Sequence, residues 1–160
     1  MRGSIVGFAL AVCVAGQALA QAPSAAASVE AMATIIRFTD AVNRGDTPGA
    51  LGHFGQSPTI VEDLAPYRWR GAGAGGAWMA AMGANAQAKG MTVINMRLGK
   101  ASRIEVDGDG AYAVVPGVLT YTFKDGHAEH ADGVLTFALQ RAEGAWKIVA
   151  LTWTGPPAKP

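Results

Sequence analysis

The segment 59–71, which reads TIVEDLAPYRWRG, holds the residues best suited to chemistry. Its alternating polarity predicts a short strand that delivers Asp63 to a turn, and Tyr67 and Trp69 follow directly. Apolar walls perturb the proton affinity of a carboxyl group, so an acid among aromatic side chains is a common ligand or catalytic site. Asp63 is therefore our candidate catalytic residue, with a turn-capping role as the structural alternative. Glu62, on the opposite face of the strand, is expected to face solvent.

Three aromatic side chains are predicted to contact a ligand. Tyr67 and Trp69 point to the same side of a strand, so they either line one wall of a pocket or belong to the core. Trp153 lies at the end of the last predicted strand, where an aromatic ring either closes a pocket or packs against the sheet.

Two local patterns formally match cofactor or metal motifs. The glycine-rich stretch 71–76 fits G-x-G-x-x-G, but a dinucleotide site also needs an acidic residue about twenty positions later. No acidic residue occurs between Asp63 and Glu105, so we expect no cofactor and interpret the stretch as a mobile rim loop. His127 and His130 have metal-ligand spacing, yet a spacing of three on a strand puts the two rings on opposite faces. No metal site is expected.

The first residues have the pattern of an export signal. Arg2 precedes a short apolar run, and Ala18-Leu19-Ala20 matches a small-x-small cleavage site. We therefore predict a signal peptide over 1–20, a mobile leader over 21–27 and a periplasmic or secreted protein.

The composition of the chain excludes several classes of binding partner. Cleavage would remove Arg2 and Cys13, which leaves 12 basic residues of the original 13 against 12 acidic ones and no cysteine. A neutral chain has no bulk attraction to nucleic acid or to an anionic membrane surface. Without thiols it forms no disulfide and no cysteine-ligated metal site. About 140 residues suffice for one domain with a full core, which we place at 28–155, followed by a tail at 156–160.

The expected elements place the site residues in an α+β domain. Apolar periodicity predicts a helix from Ser28, as its cap, to about residue 43, and a short second helix is capped by Asp46. A third helix is predicted over 77–89. From residue 91 the period changes to two, and turn residues separate four strands, at 91–106, 111–123, 127–141 and 145–155. An antiparallel sheet curling over three helices encloses a cavity of the kind that holds small ligands.

The order of these elements, with FTDAVNRGD closing the first helix, TIVED in the first strand and WKIVALTW in the last, resembles the NTF2-like superfamily. The branch it is most similar to is that of the SnoaL-like and ketosteroid isomerase-like proteins. The resemblance covers roughly 28–155 and implies a cone-shaped fold: three N-terminal helices packed on a curved antiparallel sheet. It also implies that homodimers form through the open sheet face. One such fold hosts many functions.

The resemblance carries a specific implication for catalysis. In the steroid isomerases a catalytic aspartate follows a Val-Glu pair, which places Asp63 at the general base. Their enolate is stabilised by a tyrosine and a protonated aspartic acid, whose positions in this chain are occupied by Phe38 and Gly133. Both donors are missing, which argues against steroid isomerase activity. Phe38 is instead predicted to contact a ligand.

Two functions follow from the sequence. The first is binding of a small apolar or aromatic molecule in the cone-shaped pocket. The second is an enzyme that uses Asp63 as general base for proton transfer or hydration on a small carbonyl compound. A third hypothesis is a structural or partner-binding role, in which an apolar patch on the open sheet face pairs two copies; such pairing is compatible with either function.

Overall fold

A computed structural model describes residues 25–156 of the chain, so the predicted signal peptide, residues 21–24 and residues 157–160 lie outside the described part. The described residues form three helices and seven strands. In chain order these are α1 (Ala25–Asn43), α2 (Thr47–Leu51), β1 (Phe54–Val61), β2 (Arg68–Arg70), α3 (Ala74–Lys89), β3 (Met91–Leu98), β4 (Arg103–Asp107), β5 (Gly110–Phe123), β6 (Ala128–Ala142) and β7 (Ala145–Thr154).

The strands form one curved sheet in the order β2-β1-β7-β6-β5-β3, with β4 also paired to β5. Helices α1 and α3 pack against it, which confirms the predicted α+β class. Two details of the predicted cone are wrong. The sheet is mixed, because β1 runs parallel to β7, while the remaining pairs are antiparallel. The helices are also not all N-terminal, since β1 and β2 precede α3.

Helix α1 begins earlier than the sequence predicts and buries a different set of residues. It already includes residues 25–27, so Ser28 is not its cap. Val29 is 68% exposed and Ile36 47% exposed, although apolar periodicity predicts that both lie on the buried face of the helix. The buried face is made instead by smaller side chains around Ile35 and Phe38, because small residues let the helix approach the sheet closely. This face consists of Ala31, Thr34, Ile35, Phe38, Thr39 and Ala41.

Helix α3 ends as predicted but begins three residues earlier. Gly90 follows its last turn with φ +69°, the left-handed conformation that favours glycine at this position. At the other end, Ala74 and Gly75 are already helical and buried. A Cβ on Gly75 would lie 2.9 Å from the Phe54 ring, so the helix start is packed against β1. The predicted mobile loop 71–76 is therefore half helix, and its packing does not suit a lid.

The predicted strand 91–106 is two strands. β3 and β4 pair with successive stretches of β5, and residues 99–102 separate them. The break lies beside Pro116, which has no N–H to donate across the sheet. Its carbonyl still accepts a hydrogen bond from the Gly99 N–H at 2.8 Å. Pro116-Gly117, a pair typical of a bend in a strand, therefore coincides with a change of partner strand.

Four aromatic rings tie the helices to the sheet. The Phe38 ring of α1 lies 5.2 Å from the Phe54 ring of β1, edge to face, and 6.3 Å from the Trp78 ring of α3. Phe137 of β6 completes the group at 6.3 Å from Phe38 and is fully buried. Such pairs add specific geometry to the burial of large apolar surfaces. This aromatic cluster (Phe38, Phe54, Trp78 and Phe137) forms the centre of the core.

Among residues 25–156, no helix has the length and hydropathy needed to cross a bilayer.

Candidate ligand-binding site

A cavity of about 270 Å³ lies between the helices and the sheet, next to the aromatic cluster. Its walls come from α1, α3 and five strands of the sheet, and they are mostly apolar. Unbranched and flexible side chains are frequent, which suits a surface that adapts to its ligand. The apolar wall includes Phe38, Val42, Ile60, Met79, Met82, Ile94, Met96, Leu119, Leu135, Leu151 and Trp153.

Two glycines facing each other on neighbouring strands shape the sheet side of the cavity. Gly117 of β5 pairs with Gly133 of β6. A Cβ on Gly117 would lie 2.8 Å from the sulfur of Met96, and one on Gly133 would lie 2.6 Å from Cζ2 of Trp153. The Trp153 ring therefore rests directly on the Gly133 backbone. Phe38 and Trp153, both predicted to contact a ligand, do line the cavity.

Glu62 is the carboxylic acid on the cavity wall. It follows β1 directly and lies two residues after Ile60, which is 1% exposed, so strand alternation turns both side chains inward. The Trp78 indole N–H donates to Oε2 of Glu62, and this bond orients the carboxyl group. Burial raises the pKa of Glu62, and the nearby charge of Asp63 raises it further, while the Trp78 hydrogen bond opposes the shift.

The two acids of TIVED thus lie where the sequence analysis did not place them. Glu62 is half-buried and lines the cavity, so the expectation that it faces solvent is wrong. Asp63 is exposed and lines the adjoining groove instead. The reason is the register, because Asp63 follows Val61 on the outward face, and Val61 is 42% exposed. The signal was available in the sequence: Glu62 shares its face with the apolar Ile60.

Tyr67 and Trp69 do not line the cavity. Tyr67 lies in the turn between β1 and β2 with φ +69° and is 62% exposed. Trp69 lies on β2, opposite Ile60, and is 8% exposed as part of the core. The positive φ of Tyr67 ends the strand alternation that would have put both rings on one side. Their ligand contacts are not supported by this placement.

The remaining polar side chains on the wall are used for structure. The Thr39 hydroxyl donates to the Ile35 carbonyl at 2.9 Å. The Asn43 amide donates to the Met96 carbonyl at 2.8 Å, and its Oδ1 accepts from the Met96 N–H at 2.8 Å. Asn43 therefore joins the end of α1 to β3. A ligand in the cavity would meet Glu62 as the main polar group.

An acidic groove adjoins the cavity and shares Glu62 with it. We define this groove by Glu62, Asp63, Lys89, Tyr121 and Glu129, which line a further space of about 270 Å³. Burial raises the pKa of Tyr121 to about 12, and the charges of Asp63, Glu62 and Glu129 contribute in that order. The groove is thus a region of negative potential at one end of an apolar cavity.

The histidine pair lies outside the cavity and has local partners, and Nε2 of His127 lies 3.9 Å from Oε1 of the groove residue Glu129. His127 stacks on Phe123 with ring centroids 4.2 Å apart and contacts the Asp125 carboxylate. His130 lies across the sheet from Thr120, at 3.0 Å from its hydroxyl. Among the described residues, no group of three or more His, Cys, Asp and Glu side chains could hold a metal ion.

Gly133→Ala is expected to disturb the cavity. The new methyl group would overlap the Trp153 ring and the Thr154 carbonyl, so the ring must move. We expect a change in near-ultraviolet circular dichroism and a lower melting temperature. Gly76→Ala on α3 is the matched control, because Gly76 is not among the cavity-lining residues and a Cβ there meets nothing within 4 Å. It should leave the spectrum unchanged and stabilise the helix by about 0.5–1 kcal/mol. Unchanged Trp153 signals in Gly133→Ala would contradict this account.

Glu62→Gln is expected to change the pH dependence of stability. Since burial raises the pKa of Glu62 in the native state, the unfolded chain loses its proton first as the pH rises above its ordinary value of about 4.3. The native protein therefore loses stability across that window up to the raised pKa, and the variant does not. The melting-temperature difference, variant minus wild type, should grow with pH. Glu143→Gln, at an exposed turn, controls for loss of one surface carboxylate. A difference that stays constant would contradict the burial of Glu62.

Comparisons with known proteins agree on the architecture. No family model and no curated sequence matches the chain. An NTF2-like protein of unknown function from Pseudomonas putida superposes with a TM-score of 0.68 at 21% identity, covering 83% of this chain and 89% of that one. An NTF2-like superfamily protein from Salmonella enterica gives 0.66 at 18% identity, covering 86% and 96%. A hexachlorocyclohexane dehydrochlorinase, LinA type 2, gives 0.67 at 11% identity, covering 81% and 85%.

At these identities the likeness concerns the fold and not the activity. The helices, the curved sheet and the enclosed cavity together show that the chain has the fold of the NTF2-like superfamily.

Proposed function

We propose that the protein binds a small apolar or aromatic molecule in the cavity between α1, α3 and the sheet. The observation that supports this proposal is the cavity itself, which offers about 270 Å³ of mostly apolar space with one carboxyl group on its wall. Small-molecule sites typically combine apolar walls with a few placed polar groups. The predicted export signal over 1–20 supports a ligand met in the periplasm or outside the cell.

Individual residues have distinct roles in this proposal. Phe38 and Trp153 supply flat aromatic surface on opposite sides, and Met79 and Met82 of α3 supply an adaptable wall. Glu62 fixes the orientation of a polar end. Phe38 and Gly133 provide no side-chain hydrogen-bond donor for an enolate, which argues against steroid isomerase activity.

Filling the cavity is expected to abolish binding. Ala86 lies on the cavity wall, so Ala86→Phe places a ring in the ligand space. Ala84 lies on the exposed side of the same helix, so Ala84→Phe is the matched control. Naphthalene-type ligands should raise the melting temperature of the wild type and of Ala84→Phe, since a ligand at 100 times its Kd adds about 2.7 kcal/mol of stability. The shift should vanish in Ala86→Phe. The proposal fails if no apolar or aromatic ligand stabilises the wild type.

The cavity acid favours a second candidate function, which is proton transfer on a small carbonyl compound. Asp63 is the base that the resemblance implies, and it lies in the acidic groove. Its neighbour Glu62 lies on the cavity wall with a raised pKa, and a base with a pKa nearer neutrality transfers protons more effectively. LinA, of the same fold, is an enzyme by its description. Either carboxylate could accept a proton from the carbon beside a carbonyl group.

Paired substitutions of the two acids decide between these bases. Exchange of the α-hydrogens of a cyclic ketone with deuterated water, followed by NMR, measures proton abstraction directly. If Glu62 is the base, Glu62→Gln should lose about two orders of magnitude or more in exchange rate, while Asp63→Asn retains most of it. The reverse pattern would identify Asp63. Equal rates in wild type and both variants would overturn the enzymatic function and leave binding unaffected.

A further inference from the structure

The polar groups of the cavity select one class of ligand. Thr39 and Asn43 are bonded to the backbone, so they offer a ligand little. The Oε2 of Glu62 accepts from Trp78, and Oε1 has no hydrogen-bond donor among residues 25–156. Oε1 is thus free to accept a hydrogen bond, and a ligand that displaces water from it should donate one in exchange, because an acceptor removed from water without a donor is costly.

The charges around Glu62 favour a ligand whose donor group is positively charged. Asp63 and Glu129 share the acidic groove with it, and Lys89 is the cation among the groove residues. Within the described part of the chain, Lys89 forms no ion pair with any of the three carboxylates at 4.0 Å or less. Three negative charges against one positive charge leave the groove negative. Burial is the largest cause of the raised pKa of Tyr121, about 12, and the charges of the three carboxylates add to it.

Two aromatic surfaces flank this end of the cavity. Tyr121 lines the groove, and Trp153 lines the cavity. The indole nitrogen of Trp153 and the Oδ2 of Asp63 lie 3.3 and 3.7 Å from the position that a Cβ on Gly155 would occupy. The Trp153 edge and the Asp63 carboxylate thus both border Gly155. The faces of aromatic rings attract organic cations through their quadrupoles, so the faces of Tyr121 and Trp153 suit a cationic ligand.

We propose that the ligand is an organic cation: an apolar or aromatic body with a basic nitrogen, the body in the cavity and the ammonium group at Glu62, facing the acidic groove. This inference rests on the proposed binding function and specifies its ligand class. An ammonium group donates to the free Oε1 in a charge-assisted hydrogen bond. An anionic ligand of the same shape is repelled by Glu62, Asp63 and Glu129. A neutral ligand of that shape gains no electrostatic attraction to them.

Three probes with one ring skeleton test the proposal: naphthylmethylamine, naphthylmethanol and naphthoate. Calorimetric titration of the full-length mature protein at neutral pH and low salt gives the three affinities. The amine should bind about tenfold or more tightly than the alcohol, and naphthoate should bind weakest. Glu62→Gln should reduce the amine affinity about tenfold or more and change that of the alcohol about twofold at most. Added salt should weaken the amine alone.

The pH dependence of amine binding, measured as a pH series, is a second test. It should change in Glu62→Gln only if the charge of Glu62 contributes to binding, and not if Glu62 serves packing alone. The amine binds to the ionised form of Glu62, so its affinity should fall as the pH drops through the raised pKa of that group, and binding should release protons there. Asp63, Glu129, Lys89 and Tyr121 face the same space, so the series is repeated in Glu62→Gln, where the fall should be reduced. Glu143→Gln, at the exposed turn, is the matched control and should bind all three probes as the wild type does.

The outcomes separate this inference from the proposed function. Equal binding of the amine and the alcohol, or preferred binding of naphthoate, overturns the cation preference while the binding function stands. An amine preference that survives Glu62→Gln unchanged overturns the role of Glu62. Failure of all three probes to bind overturns the binding function together with the inference.

Discussion

The aromatic cluster is the constraint on which the site depends. Phe38 contacts three rings from three different elements, so a shift of α1 relative to α3, β1 or β6 would disturb these ring contacts. One of those rings, Trp78, also donates its N–H to Glu62. The core residue that locks α3 against the sheet therefore orients the acid in the cavity. Trp78 thus contributes both to core packing and to the orientation of Glu62.

The cavity exists because small residues limit how far the core can fill. Because Gly117 and Gly133 have no side chain, Met96 and Trp153 pack directly against the sheet backbone. On the facing side, Gly83 and Ala86 of α3 fill little of the space between the helix and the sheet. Close packing elsewhere leaves few voids in a protein of this size. A hollow lined by methionine and aromatic side chains therefore reflects the placement of glycine and alanine, and not a general looseness of the core.

Local sequence patterns predicted the helices and hairpins well and the long-range relations poorly. Asp46 does cap α2, accepting from the Gly49 N–H at 2.9 Å, and Gly90 does end α3. The parallel pairing of β1 with β7 has no local signature, since it joins residues far apart in the chain. The site was partly predictable. Phe38 and Trp153 line the cavity, whereas the choice between Glu62 and Asp63 depended on strand register, and the outward turn at Tyr67 required a backbone conformation that periodicity does not reveal.

The strand that presents Glu62, β1, pairs with β7, which is synthesised much later. Ile60 and Val61 lie beside Leu151 and Thr152, so the strand that presents Glu62 gains its inner neighbour only when the last described strand is in place. Contacts between distant parts of a chain form late, because a long loop must close before they contribute. During translation the acid-bearing strand is thus an unpaired edge on its β7 side. The cavity wall that carries Glu62 is therefore complete only when β7 has paired with β1.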